Sequence, residues 1–328
     1  MSAEPLVSIL IPVYDREILI GRALESALGQ NYRNVEIVVV DNCSRDGTFE
    51  VVSAYARKDP RLRLFRNPEN LGPVRNWLKC LEYSRGSYVK ILFSDDWLEA
   101  AAIARLLVPM QEDPSLGFSY SSARVHFCGS ITRAAEQRDE IAYRLPCEGI
   151  LPTAEFLLGV LDGACFPVSP GCALFRRSDV LCWLEGALPN RLGLPCFERG
   201  VGNDLMIFLR ACDDYHWCYY INDPLVHFLG HPGSLTVASK KDAVHVLCYD
   251  VAAARFLSTA RNVTATQKRR LNAILFSRCF DPARMREIGM PWQVFPKMFP
   301  ENYGWFQLDL PLLLSRVLRR SYHRLTNK

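Results

Sequence analysis

Residues 87–96 read SYVKILFSDD, a run of β-branched and aliphatic side chains that stops at a serine and two aspartates. Three runs of the same kind precede it: LVSILIPV (6–13), VEIVVVD (35–41) and RLRLF (61–65). They recur roughly every 28 residues, and helical patterns over 17–28, 47–56 and 74–83 lie between them. Strands that alternate with helices build βαβ units, whose strands are parallel. The runs are continuously apolar rather than alternating, as strands covered on both faces must be. The expected fold class is α/β, with a Rossmann-like, mostly parallel sheet flanked by helices.

Outward from this core the pattern changes. Residues of about 111–175 are less regular, with short strand candidates at LGFSYSSA (116–123) and GCALFRR (171–177), which suits loops and a substrate platform over the sheet. From 238 onward the chain reads as helical, over 244–257, 266–276 and 311–325. The expected organisation is therefore 1–237 as one domain, with halves 1–110 and 111–237, and 238–328 as a helical, basic C-terminal extension.

Composition narrows the function. At 328 residues and 49% hydrophobic content the chain can bury a sizeable core, so disorder and mini-protein scaffolds are excluded. The net charge of +4 is too mild for a nucleic-acid binder. It is unevenly spread: residues 255–328 hold 14 Lys and Arg against 4 Asp and Glu, so the body before them is acidic. The start has no basic region followed by a cleavage site, and no apolar run reaches about 18 residues, so a cytoplasmic protein is expected. The 12 cysteines show neither CxxC pairs nor zinc spacing, which predicts free and mostly buried thiols.

In open parallel sheets ligands bind beyond the carboxyl ends of the strands. Asp15 follows the first run, Asp41 the second, and Asp95 with Asp96 the fourth. Adjacent carboxylates repel unless a positive charge joins them, and a hard divalent cation such as Mg²⁺ or Mn²⁺ answers that need. The alternative is that Asp96 caps a helix beginning WLEAAAIARLL. Neither GxGxxG after the first strand nor GxxxxGK[ST] is present, so a metal bridging a diphosphate is the phosphate-holding device that fits.

The blocks VSILIPVYDRE, ALGQNY, VVVDNCSRDGT, NPENLGPVRN, RGSYVKILFSDDW, PGCALFRR, GNDLMIFLR and HPGSLT, in this order over residues 6–237, resemble the family 2 glycosyltransferases. The resemblance implies a GT-A fold and an inverting transfer of one sugar from a nucleotide-diphosphate donor, UDP-sugars being favoured, with Mg²⁺ or Mn²⁺. It also implies roles. Pro12, Val13, Tyr14 and Asp41 would hold the nucleoside, and Arg75 would lie near the base or phosphates. Asp95 would touch the ribose side, while Asp96 and His231 would face the metal and phosphates. Asp204 would be the catalytic base. Asp204 as a helix cap and His231 as a loop histidine are the bland alternatives. Phe93 and Ser94, Asn42, Asp15 and Asn203 depart from common family residues. Those at Phe93, Asn42 and Asn203 motivate a second reading, a nucleotide-sugar-binding module without turnover.

Two further expectations concern charge. Asp213 and Asp214 read as a solvated turn. Residues 311–325, PLLLSRVLRRSYHRL, place Leu314, Val317, Leu318 and Leu325 on one stripe with Arg316, Arg319, Arg320 and Arg324 mostly beside or opposite it, a pattern suited to an anionic membrane surface or to packing on the body. A glycan or lipid-linked acceptor, polysaccharide or glycoconjugate synthesis, and peripheral attachment to the inner membrane face follow as expectations. A processive synthase is disfavoured, since neither membrane spans nor a QxxRW motif occurs.

Overall fold

A computed structural model describes residues 4–127, 138–184, 192–231, 234, 243–279, 291–299 and 308–316. Strands β1 (Val7–Val13), β2 (Val35–Asp41), β3 (Leu62–Arg66) and β4 (Tyr88–Ile91) alternate with helices α1 (Ile20–Leu28), α2 (Thr48–Ala56) and α3 (Pro73–Tyr83). They pair in the order β3-β2-β1-β4, all parallel. Every residue of β1 and β2 is buried, as their unbroken apolar runs require. Helix α1 covers them with Ile20, Ala23, Leu24 and Ala27, one face at helical spacing. Its first turn begins at Ile20 rather than at Glu17.

Beyond β4 the sheet is mixed. It continues through β9 (Ala173–Arg176), β6 (Leu116–Phe127) and β10 (Trp217–Gly230) to the short β5 (Trp97–Leu98). Strand β9 is antiparallel to both neighbours, whereas β6 and β10 are parallel to each other. Strands β7 (Arg138–Ala142) and β8 (Gly149–Pro152) pair antiparallel with β6 and β10. Helix α4 (Ala102–Glu112) backs this half, as does α5 (Thr153–Asp162).

Further helices among the described residues are α6 (Arg177–Leu184), α7 (Cys196–Arg199), α8 (Asn203–Asp214), α9 (Ala243–Thr259), α10 (Ala265–Arg278) and α11 (Pro291–Met298), besides the helical turns at 310–316. Helix α9 packs on α8 and α10 on α5, so the C-terminal helices share one apolar core with the sheet. A capping box between Thr264 and Gln267 starts α10.

Two charge expectations change here. Asp213 and Asp214 do not form a solvated turn: they end α8, and Asp213 is only 2% exposed. Its carboxylate accepts from Arg261 N and Asn262 N, satisfying the backbone between α9 and α10. Asp214 accepts from Trp183 Nε1 and pairs with Arg261. In the basic tail, 310–316 are helical, and Val317 to Lys328 lie outside the described residues. Leu310 and Leu314 are exposed there, but Arg316 turns to Asp162 and to Ser277 Oγ.

Among the described cysteines, Cys80, Cys172, Cys196, Cys212, Cys218, Cys248 and Cys279 are buried thiols, while Cys147, Cys165 and Cys182 are exposed.

Candidate active site

The carboxyl ends of β1, β2 and β4 lie side by side, which is where the parallel half of such a sheet receives a ligand. Pro12 and Val13 are buried in β1 and deliver Tyr14, half-buried, to that edge. Asp15 has φ +49°, a left-handed conformation that Asp and Asn tolerate better than other side chains. Its Oδ1 accepts from Arg45 N at 2.8 Å, and its own N–H donates to Ser44 Oγ.

Asp41 is fully buried at the end of β2. It accepts from Ser44 N at 3.2 and 3.3 Å, and Arg66 Nε lies 3.1 Å from its Oδ2. Beside it a network of amides joins the strand end to the following loop. Asn67 donates to Asn42 and Asn76, Asn42 donates to Asn70 Oδ1 and Gly72 O, and Asn76 donates to Val40 O. Asn42 is thereby committed to holding residues 67–72. Arg75 is exposed on the first turn of α3, its guanidinium 5.7 Å from the Phe197 ring centroid.

After β4 the chain bends so that Asp96 N donates to Phe93 O. Asp96 is 7% exposed, and its Oδ1 accepts from Leu229 N of β10 at 3.0 Å. Burial, and then the charge of Asp95, push its carboxyl well above the usual carboxylate range. Asp95 Oδ2 lies 3.2 Å from Nε2 of His231, which follows β10. The capping alternative for Asp96 fails. Residues 97–98 enter β5, and α4 starts at Ala102 with Ala101 as its N-cap and no side-chain bond there.

Three features near these aspartates were not visible in the sequence. The Trp97 ring stacks on His126 and His227 at 4.7 and 4.9 Å, with the Arg22 guanidinium 4.4 Å from its centroid. The two histidines bond to each other at 2.9 Å, and their outer nitrogens meet Asp139 and Glu99. This chain ties β5, β6, β7 and β10 together one residue from Asp96. Lys90 is completely buried in β4 and donates to Ile91 O at 3.1 Å and to Gly171 O. Burial pushes its ammonium down to about 8. Phe93, where the family often has an acid, packs on Trp77 and beside Gly171, in apolar surroundings.

Asp204 stands in the first turn of α8, whose N-cap is Gly202 with no side-chain cap bond. The carboxylate is partly exposed. Its Oδ1 accepts from Gly202 N at 2.9 Å and Leu205 N at 2.8 Å, and its Oδ2 accepts from the Tyr249 hydroxyl at 2.8 Å. Burial pushes this carboxyl up to about 6, against the pull of those donors. Tyr143 has φ +62°, and burial raises its phenol, with Cys172, Asp204 and Asp96 acting electrostatically in the same direction.

The family model described as "Glycosyl transferase family 2" matches residues 8–183, from the first strand to α6, more than half of the chain. The chain belongs to glycosyl transferase family 2. The family 2 match takes in Asp41, Arg75, Asp95 and Asp96, while Asp204, His231 and Tyr249 lie beyond it.

Among curated relatives, a stretch of 94 residues is 37% identical to an "Uncharacterized glycosyltransferase" of Haemophilus influenzae, covering 29% of this chain and 38% of that protein. A stretch of 124 residues is 33% identical to "Hyaluronan synthase" of Pasteurella multocida, covering 38% of this chain and 13% of that one. The chain thus spans less than half the length of the curated relatives it matches. Of solved structures, S. aureus TarS 1–349 in complex with UDP-GlcNAc superposes with TM-score 0.60 at 18% identity, over 90% of this chain and 82% of that one. The mannosyltransferase PcManGT from Pyrobaculum calidifontis, in complex with GDP-Man and Mn²⁺, superposes with TM-score 0.50 at 20% identity, over 77% and 65%. At these identities the likeness concerns the GT-A fold.

Among the described residues no group of three or more His, Cys, Asp or Glu side chains is arranged to hold a metal ion. At the rim Asp95 lies 3.2 Å from His231, and one oxygen of Asp96 is taken by Leu229 N. One or two carboxylates would be enough for Mg²⁺, which keeps few protein ligands and completes its shell with waters and substrate phosphates.

Proposed function

We propose that the chain is an inverting glycosyltransferase that moves one sugar from a nucleotide-diphosphate-sugar, UDP-sugars favoured, to an acceptor hydroxyl in polysaccharide or glycoconjugate synthesis. The observation that supports this reading is the Asp204 carboxylate, held by three donors at the start of α8, in a family 2 chain where Asp96 and Asp95, the latter beside His231, follow β4.

In the proposed arrangement Tyr14 and Asp41 border the nucleoside, and Asp95, Asp96 and His231 would hold Mg²⁺ or Mn²⁺. When bound, the cation supplies charge neutralisation on the leaving diphosphate. Asp204 takes the proton of the acceptor hydroxyl. The acceptor oxygen bonds to the anomeric carbon from the face opposite the diphosphate, and the nucleoside diphosphate leaves with the electron pair of the broken C–O bond. Inversion follows from this single displacement. General-base assistance of this kind contributes about 10²–10⁴-fold.

The pH dependence tests the assignment of the base. A base must be unprotonated, and the Asp204 carboxyl sits at about 6. Turnover therefore rises with pH through 6 and levels off above it, with donor affinity unchanged across that limb. A flat profile between pH 5 and 7 would remove Asp204 from the role.

The acceptor is proposed to be a glycan or a lipid-linked sugar. Exposed Leu310 and Leu314, one helical turn apart, support docking of the C-terminal helix on an anionic membrane surface. Among the described residues no helix is long and apolar enough to cross a membrane. Co-sedimentation with vesicles containing phosphatidylglycerol at low salt is expected, with loss on Leu310→Asp plus Leu314→Asp. Protein that stays in the supernatant at low salt would exclude the docking.

A further inference from the structure

We propose that Tyr249, on α9, is the positioning residue of the base: its hydroxyl fixes the Asp204 carboxylate toward the acceptor and keeps it ionised. The inference rests on the reading of Asp204 as base, and it brings into the site a helix that begins some sixty residues after the family match ends.

The geometry is over-determined. Three donors hold the carboxylate, Gly202 N and Leu205 N on one oxygen and Tyr249 on the other. The two backbone donors come from the helix that carries Asp204 and would be present whatever packed above. The Tyr249 hydroxyl is the donor that depends on a separate element, and α9 is built to deliver it. Gly202 adopts φ +87°, and a Cβ there would meet Cys248 O at 2.7 Å and the Ala252 side chain at 3.1 Å. The backbone of α9 approaches this closely because residue 202 has no side chain. Further along, the fully buried Asp250 pairs with Arg278 at 2.7 Å, and Arg278 also donates to Leu161 O, which locks α9 to α10 and α5.

Electrostatics explain why such a donor is needed. Burial disfavours the charged carboxylate, and a base that stays protonated near neutrality is idle. A hydroxyl donor stabilises the ionised form and opposes that effect. The ionisable groups around the pair are Cys248 and His245 on α9, the latter's ring 5.5 Å from that of Tyr249, and Tyr143 after β7, with Asp96 acting on Tyr143.

The test is a ¹³C titration of the Asp204 carboxyl in the full chain, assigned by its absence from Asp204→Asn. Tyr249→Phe, which loses a single oxygen, is expected to raise the Asp204 midpoint by about one pH unit, since a hydrogen bond to a charged group typically contributes about that much. The acid limb of donor turnover moves up by the same amount, kcat at pH 6 falls, and KM for the donor does not change. A midpoint that stays in place in Tyr249→Phe overturns the proposal. If that variant does not fold, the wild type serves: one tyrosine ¹³Cζ resonance should inflect at the Asp204 midpoint and lose that inflection in Asp204→Asn. Its absence also overturns the proposal. The two readings fail differently. Normal turnover by Asp204→Asn removes the base assignment, whereas the ¹³C titration tests the Tyr249 contact without reference to activity.

Discussion

Asp204→Asn is expected to bind the nucleotide-sugar donor as the wild type does and to lower transfer by about 10²–10⁴-fold. The substitution is close to isosteric, and the amide oxygen can keep the bonds from Gly202 N and Leu205 N or the one from Tyr249. What it loses is the ability to take a proton. Because the change touches the transition state and not the donor, kcat and kcat/KM should fall together while KM stays. Direct measurement of nucleotide release, with binding followed separately by calorimetry, distinguishes this from a folding defect. Wild-type turnover by the variant would mean that another group accepts the proton, whereas donor binding without turnover in both proteins would mean that the chain only binds.

The second large effect concerns the paired aspartates. With UDP and Mn²⁺ each near 100 times its dissociation constant, the wild type should gain about 2.7 kcal/mol, which amounts to a rise of several degrees in the melting midpoint. Asp96→Asn and Asp95→Asn are each expected to abolish the metal-dependent part of that rise. Asparagine is a better choice than alanine at 96. Asp96 Oδ1 receives the Leu229 N–H, and removing that acceptor would leave a buried donor unpaired, costing about 1–3 kcal/mol by itself. The same series with dTDP, GDP and CDP identifies the base. A nucleotide that stabilises equally with and without Mn²⁺ would remove the metal from the proposed site.

The parallel half of the sheet was legible because its physics is local. Runs such as VEIVVVD can only be strands covered on two faces, and their spacing leaves room for one helix each. The mixed half was not, since β9 and β10 pair with strands far away in sequence and no periodicity announces an antiparallel partner. The Ser-Asp-Asp turn was legible as an acidic rim but not as a bend into a two-residue strand, because WLEAAAIARLL has helical spacing and its first two residues are captured by β10 instead. Asp213 misled for a related reason: two adjacent acids look solvated until Arg261 and Asn262, nearly fifty residues later, bring their N–H groups to one of them. Tyr249 and Tyr143 had no sequence signal at all. A single tyrosine in an amphipathic helix is indistinguishable from core, and its role exists only through the backbone contact at Gly202.

Asn42, Asn67, Asn70 and Asn76 carry no ionisable group, so the wall they form beside Asp41 keeps its charge and its donors from acid to alkaline solution and at any ionic strength. A chain with an acid at position 42 would instead gain a countercharge requirement there and lose it on protonation. Here that corner of the rim is chemically silent. Any dependence of donor affinity on pH or salt must therefore arise at the charged groups around this wall, the Asp41–Arg66 pair among them, and not in the amides themselves.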